Sequence, residues 1–419
     1  MSEMPVFDPS QIPQLLPFDP LDPVVHHNPY PTYQKIREEH GSTYVSPLGL
    51  TSVLSHEAAS QVLTSPKFGW GDNPMMHDQM VKAPNDPDGP LRPVLQFMDP
   101  PDHTRLRRLI SKAFTPRMVA RLRPKIAEYM VKLIDDAMAA RDADGIVDLH
   151  KTVISPLAPT MLSELLNVPE KYHARFLSFF RASATGIDPS FLLTPEQIKA
   201  RDEARADFMQ VGMELAAERR VDPGDDLVSR LVMAEQDGDM LDEGEVAISI
   251  MMLLSAGTGA TAGMFANCAF TLLSHPDQLA WLREHPDQIA PAVEELTRYD
   301  TPLQSTFRTA LEPTEVAGVP LETGQPVIVL FGAANRDPAA YEDPDRLDLS
   351  RNNSVNHLGF GHGIHFCVAA PVARLTTQVA LQALTSLDIE LAKADPARPL
   401  GMVMRTVDEL PVRLAGARP

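Results

Sequence analysis

The sequence predicts a mainly helical protein with a small strand-rich part. Three features carry that prediction. Residues 102 to about 144 hold a helical pattern, HTRLRRLISKAF followed by PRMVARLRPKIAEYMVKLIDDAMA. The stretch from Glu243 to about Leu273 is proline-free and apolar enough for one long helix. After Pro302 the texture changes to alternating residues broken by turn signals, FRTALEPTEVAGVPLETGQPVIVL, which reads as short strands.

The remaining elements follow in chain order. The first 25 or so residues are proline-rich and are expected to wrap the surface, and PYPTYQKIREEH starts a helix. Residues 41–55 read as a two-stranded hairpin turning near Pro47 and Gly49. Residues 71–101 carry seven prolines among Gly, Asn and Asp, so no regular element is expected there. That stretch also contains Met75, Met76, Met80, Leu91, Val94, Leu95 and Phe97, and a long loop this apolar covers something. Helices continue through 157–234 with breaks near Pro169, Gly186 and Pro223, and two more occupy 276–284 and 288–299. Residues 336–366 read as loop, Val368 to about Ser386 as a helix, and the last 30 residues as short strands. No internal repeat and no glycine-rich nucleotide loop is present.

Composition sets limits. The 419 residues carry a formal charge of −19, which disfavours nucleic acid and anionic membrane as partners. The N-terminus lacks a basic region followed by an apolar run, so no signal peptide is expected. The apolar segment VAISIMMLLSAG is too short to span a bilayer, and the expected location is the cytoplasm. Of the two cysteines, Cys268 falls in an apolar helical stretch and reads as a buried small hydrophobe.

Cys367 is different. It ends HLGFGHGIHFC, with three glycines and three histidines, immediately before a helix. Unpaired N–H groups and the dipole at a helix start stabilise a thiolate. Such a cysteine can be a nucleophile, a redox thiol, a metal ligand or a buried structural residue. A zinc site drawing on His357, His362, His365 and Cys367 is nominally available, although their spacing in a tight loop is poor for it.

These residues resemble the signature of the cytochrome P450 family, Phe-Gly-x-Gly-x-His-x-Cys-x-Gly/Ala, which reads here as Phe360, Gly361, Gly363, His365, Cys367 and Ala369, followed by Ala373 and Arg374. Glu295-Leu-Thr-Arg298 matches the family's Glu-x-x-Arg pattern, and Arg346 of DPDR matches its third member. MDPPDHTRLRRLISKAFTP resembles the family's helix over the haem edge, and ANRDP is a further landmark. The resemblance covers nearly the whole chain and implies the cytochrome P450 fold as a single domain over 1–419. The helix-rich core would lie at about 102–300 and 368–386, with strand-rich segments at about 41–55, 307–330 and 388–416.

The resemblance also implies a cofactor, haem b (iron protoporphyrin IX), with Cys367 as the iron's axial ligand. His103 and Arg107, one turn apart, Arg308 and His365 would pair with the haem propionates, because buried carboxylates need partners. Phe360, Gly361 and Ala369 would shape the ligand loop. Glu295, Arg298 and Arg346 would form a buried charge network. The expected function is monooxygenation, inserting one atom of dioxygen into a hydrophobic small molecule. Electrons would come from a separate ferredoxin or flavodoxin with its reductase, since the chain ends soon after the haem core. Arg105, Arg108, Lys112 and Arg117 offer a basic patch that an acidic donor would suit. A monomer is expected.

One segment departs from the family. Where the pattern Ala-Gly-x-Asp/Glu-Thr-Thr crosses the oxygen-binding face, this chain has Ala256, Gly257, Thr258, Gly259, Ala260 and Thr261. The acid and the alcohol are absent, and neither Gly259 nor Ala260 can donate a proton. The substrate's own hydroxyl can take over, or Thr258 or Thr261 can through a distorted helix. Otherwise the reaction is a coupling or peroxide-dependent oxidation, or the protein only binds and senses ligands at its haem. The glycines at 257, 259 and 263 predict a kinked or widened helix. Leu95, Phe97, Ala256, Ala260, Leu303 and Met402 are the expected substrate-pocket residues.

Overall fold

The computed structural model describes residues 12–20, 22–71, 80–82, 91–183, 194–399, 401 and 403–417. They gather into two compact units. The first is drawn from residues 69–120 and 159–259, the second from residues 10–68, 121–158 and 260–419.

The first unit is helical. Asp102–Ala113 buries His103, Leu106, Leu109, Ile110 and Ala113 along one face. His173–Ser183 pairs with Pro195–Val221, where Phe208 stacks on Phe179 at 4.3 Å and meets Phe176 edge-on at 4.9 Å. The long helix, Glu243–Leu273, starts in this unit and crosses into the second. Its start is fixed by a reciprocal cap. Glu245 N–H donates to Asp242 Oδ1 at 2.8 Å, and Asp242 N–H donates to Glu245 Oε2 at 3.0 Å. The helix is long and apolar enough to cross a membrane, but more than half of its most apolar stretch is buried inside the fold.

The second unit holds the main sheet, ordered Thr43–Val45, Thr51–Val53, Pro326–Leu330, Ser305–Ala310 and the two-residue strand Phe68–Gly69. The first two strands are the expected hairpin, turning at Gly49 with φ 83°. Pro326–Leu330 runs parallel to Thr51–Val53 and antiparallel to Ser305–Ala310. β-branched residues fill it, and alternation sends Val327 and Val329 to one core with Val53, Val62, Leu63 and Leu358. A second sheet orders Leu387–Leu391, Pro411–Ala417 and Ile146–Asp148. The sequence reading anticipated neither the Ile146–Asp148 strand nor the helix His56–Thr64.

A buried charge cluster ties distant segments of this unit together. Asp300 accepts from Tyr30 Oη at 2.7 Å and Arg398 Nη2 at 3.2 Å, and it pairs with Arg405. Burial raises the Asp300 carboxyl, but Arg405 and Arg398 outweigh it and hold it below the usual carboxylate range. Asn267 of the long helix donates to Asp300 O and Arg405 O, and Arg405 Nε donates to His26 O. His26 is buried beside the two arginines, so burial first, then Arg405 and Arg398, lower its pKa from 6.5 to about 4. The unfolded chain therefore takes up this proton first. Stability falls as pH drops from about 6.5 towards about 4, with a slope below the ~1.4 kcal/mol per pH unit limit for one proton. His26→Leu should flatten that part of the curve in urea unfolding at stepped pH. An unchanged slope would place the pH dependence elsewhere.

Candidate functional site

The loop to Cys367 is anchored on the valine core. Leu358 is buried there, and its N–H donates to Asn335 Oδ1 at 2.7 Å. The chain then turns through Gly361 at φ 71° and Gly363 at φ 67°, left-handed values that favour glycine. Gly363 has a second reason, because a Cβ there would strike Leu63 O at the end of the helix His56–Thr64. Cys367 N–H donates to Phe360 O at 2.9 Å, which closes the turn. Ala369 is the N-cap of the helix Ala370–Thr385, so Cys367 sits just ahead of a helix N-terminus, where a thiolate is favoured. Cys367 is half-buried. Cys268 is buried, and burial pushes its thiol far up.

The histidines do not gather around Cys367 as a zinc site would require. His357 Nε2 lies 3.2 Å from Glu294, while its Nδ1 accepts from Gly359 N–H at 2.9 Å. His362 is exposed and His365 half-buried in the short turn Gly363–His365. No group of three or more His, Cys, Asp or Glu side chains among the described residues is arranged to hold a metal. One thiolate donor on a glycine-built loop suits a metal whose other donors arrive with a planar ring ligand.

Behind the loop lies the expected charge network, with one correction. Glu295 and Arg298 have fully buried side chains and meet at 2.7 and 2.9 Å. Glu295 also accepts from Ser354 Oγ at 2.6 Å and Asp348 N–H at 3.1 Å. Burial raises the Glu295 carboxyl, but its bonds with Arg298 and then Ser354 bring it below the usual range. The third cation is Arg351, whose Nε lies 3.2 Å from Glu295 Oε1. Arg346 is exposed and gives only its carbonyl oxygen, at 3.4 Å from both Arg298 and Arg351. The cause is the turn closed by Arg346 N–H to Asp343 O, after which the chain comes back inward at Arg351.

A second carboxylate, Glu294, was not singled out by the sequence reading. It receives Arg374 through two bonds, Nε to Oε1 at 2.8 Å and Nη2 to Oε2 at 2.7 Å. The Arg374 guanidinium lies 4.5 Å from the Phe360 ring centroid and 5.9 Å from that of Phe366. No spacing signal marks this group, because Glu294 and His357 meet only through the fold.

In the long helix, the turns on either side of residues 255–262 are buried, whereas Ala256, Gly257, Ala260 and Thr261 are half-exposed and Gly259 is exposed. A Cβ added at Gly259 would meet nothing within 4 Å. The expected widening is not seen, since Glu243–Leu273 is one continuous α-helix with no π-helical turn. Thr258 Oγ1 donates back to Leu254 O at 2.7 Å, which commits its proton to the backbone.

The other expected site residues lie on separate elements. His103 is buried and Arg107 half-buried on Asp102–Ala113. Arg308 is buried in the main sheet opposite Val327, with Nη1 donating to Phe307 O at 2.6 Å. Leu95 is buried, and Phe97 meets Trp70 edge-on at 4.9 Å. Leu303 packs against the valine core and bridges to Met404. Met402 lies outside the described residues. Much of the expected basic patch is engaged locally. Arg105 pairs with Glu245 at 2.6 Å and Asp239 at 2.8 Å, Arg108 approaches Asp237 at 3.6 Å, and Lys112 donates to Glu235 O. Arg117 is exposed.

Comparison with known proteins agrees with this geometry. The family model described as Cytochrome P450 matches residues 18–399. Cytochrome P450 107B1 of Saccharopolyspora erythraea is 36% identical over 96% of this chain and 98% of its own length. The 6-deoxyerythronolide B hydroxylase of the same organism is 34% identical, covering 93% of this chain and 97% of its own. The solved structure of the Bacillus subtilis bacillaene polyketide synthase cytochrome P450 PksS superposes with a TM-score of 0.81 at 30% identity, covering 94% of this chain and 99% of that one.

Proposed function

Because the chain belongs to the cytochrome P450 family and is a haem-thiolate monooxygenase, we propose that its substrate is an apolar, polyketide-type ring compound carrying a hydroxyl group near the carbon it oxidises. The observation that carries this reading is the pair Gly259 and Ala260 in the half-exposed stretch of the long helix. A Bacillus subtilis relative whose name states polyketide biosynthesis supports the substrate class.

When bound, haem, read here as haem b, supplies the iron chemistry that activates dioxygen. Cys367 supplies the thiolate, on a loop closed by its N–H to Phe360 O and shaped by Gly361. His103, Arg107, Arg308 and His365 are the proposed propionate partners, a reading supported by the partial or full burial of all four. Ala256, Gly257, Gly259, Ala260 and Thr261 leave room for a bulky ligand. With no side-chain acid or alcohol at 259 and 260, and with Thr258 bonded to Leu254 O, the proton path is completed by the substrate's hydroxyl. Leu95, Phe97, Leu303 and Met402 are carried as pocket residues. The family model spans both compact units, which supports treating residues 1–419 as one functional domain. The family draws its electrons from redox partners. For this chain we take a separate ferredoxin or flavodoxin with its reductase, a monomer, and a cytoplasmic setting.

The test is turnover of a macrolide panel with matched analogues lacking the hydroxyl. The analogue should lose roughly 10²–10⁴-fold in turnover, and Ala260→Thr should recover part of that loss. Equal turnover of both compounds would reject the substrate-hydroxyl reading. A coupled product without added oxygen would replace it with a non-hydroxylating oxidation.

A further inference from the structure

We infer that Arg374 is a positioning residue for the cysteine ligand, and that Glu294 controls the ligand loop through two arms, Arg374 and His357. The inference rests on the haem-thiolate reading and deepens it.

The first arm ends on aromatic rings. Arg374 uses one edge of its guanidinium, Nε and Nη2, for Glu294 at 2.8 and 2.7 Å, which leaves its flat face for Phe360 at 4.5 Å. The same cation reaches Phe366 at 5.9 Å. Phe366 precedes Cys367, and Phe360 carries the carbonyl that receives the Cys367 N–H at 2.9 Å. The guanidinium thus holds both ends of the turn that presents the sulfur.

The second arm ends on the backbone. His357 Nδ1 accepts from Gly359 N–H, so the ring proton lies on Nε2, and that nitrogen is 3.2 Å from Glu294 Oε2, within ion-pair range. Gly359 is close-packed here, since a Cβ would come within 2.9 Å of Thr301 Oγ1 and 3.1 Å of His357 Nδ1. One carboxylate therefore reaches the backbone before Phe360 and the ring of Phe360 at once. Its neighbour Glu295 serves the separate Arg298 and Arg351 network.

A lysine cannot replace Arg374 in this role. It can pair with Glu294 as a point charge, but it offers no planar face and no fork. If the loop drifts, the thiolate is more easily protonated or displaced.

The experiment follows the reduced, carbon monoxide-bound protein, whose absorption band distinguishes thiolate from thiol ligation. The rate of conversion from the first band to the second is measured at mildly acidic pH, with the reduction potential and the urea midpoint taken alongside. Arg374→Lys should convert roughly tenfold faster and shift the potential. Phe360→Leu should do the same, and the double variant should be no faster than the faster single one, because both remove one contact. Wild-type conversion and potential in Arg374→Lys, even with a lowered urea midpoint, would overturn the inference, as would effects that multiply in the double variant. If Arg374→Lys does not fold, Glu294→Gln frees both arms while nearly preserving shape. Faster conversion in it supports the inference and a wild-type rate rejects it. Wild-type protein without the thiolate band would instead remove the haem-thiolate reading itself.

Discussion

Cys367→Ala should abolish the thiolate-type carbon monoxide band and reduce turnover to background, while Cys268→Ala should keep both. The two cysteines differ in every property that matters to a ligand. Cys367 is half-buried just before a helix N-terminus, on a loop whose glycines take left-handed angles. Cys268 is buried, and burial drives its thiol to hold its proton. The measurement is the difference spectrum of reduced protein with and without carbon monoxide, at equal haem content. A thiolate band that survives in Cys367→Ala would overturn the ligand assignment.

Glu295→Gln should cost about 3–5 kcal/mol of stability, because it leaves the fully buried Arg298 without its counter-charge. The same substitution also removes the partner of Arg351 and weakens the acceptor for Ser354 Oγ and Asp348 N–H. Urea unfolding with haem content followed in parallel gives the value. The arginines then sort by position. Arg351→Met should destabilise clearly, whereas Arg346→Met should stay within about 0.5 kcal/mol of wild type, as an exposed side chain does. The reverse order would restore Arg346 as the third member of the network.

That reversal shows what the sequence leaves open. DPDRLDLSR places two arginines five positions apart, and the fold alone decides which returns to Glu295. The Asp343–Arg346 turn settles it, and Asp343 adopts a positive φ that no residue preference announces. The long helix was readable because its interior lacks proline and its start carries Asp242 and Glu245 at capping distance. The helix His56–Thr64 was hidden behind the hairpin before it, although Ser55 caps it with a bond to Ala58 N–H. Ile146–Asp148 could not be found locally, because its strand partner is Pro411–Ala417. The cysteine loop was legible through its resemblance to the cytochrome P450 signature, whose glycines here take the left-handed angles the turn requires. Glu294 was not, because adjacent glutamates in one helix differ only in the direction they face.

The open face at Gly259 bears on how this enzyme could change. A glycine inside a helix forgoes about 1 kcal/mol relative to alanine, and nothing among the described residues crowds the space an added side chain would take. If Gly259 borders the substrate as proposed, substitutions there would alter its surroundings without a clash against the described residues. On that reading a new side chain at this position would change the chemistry while gaining, not costing, helix stability, which makes it a natural first place for a lineage, or an engineer, to explore new chemistry.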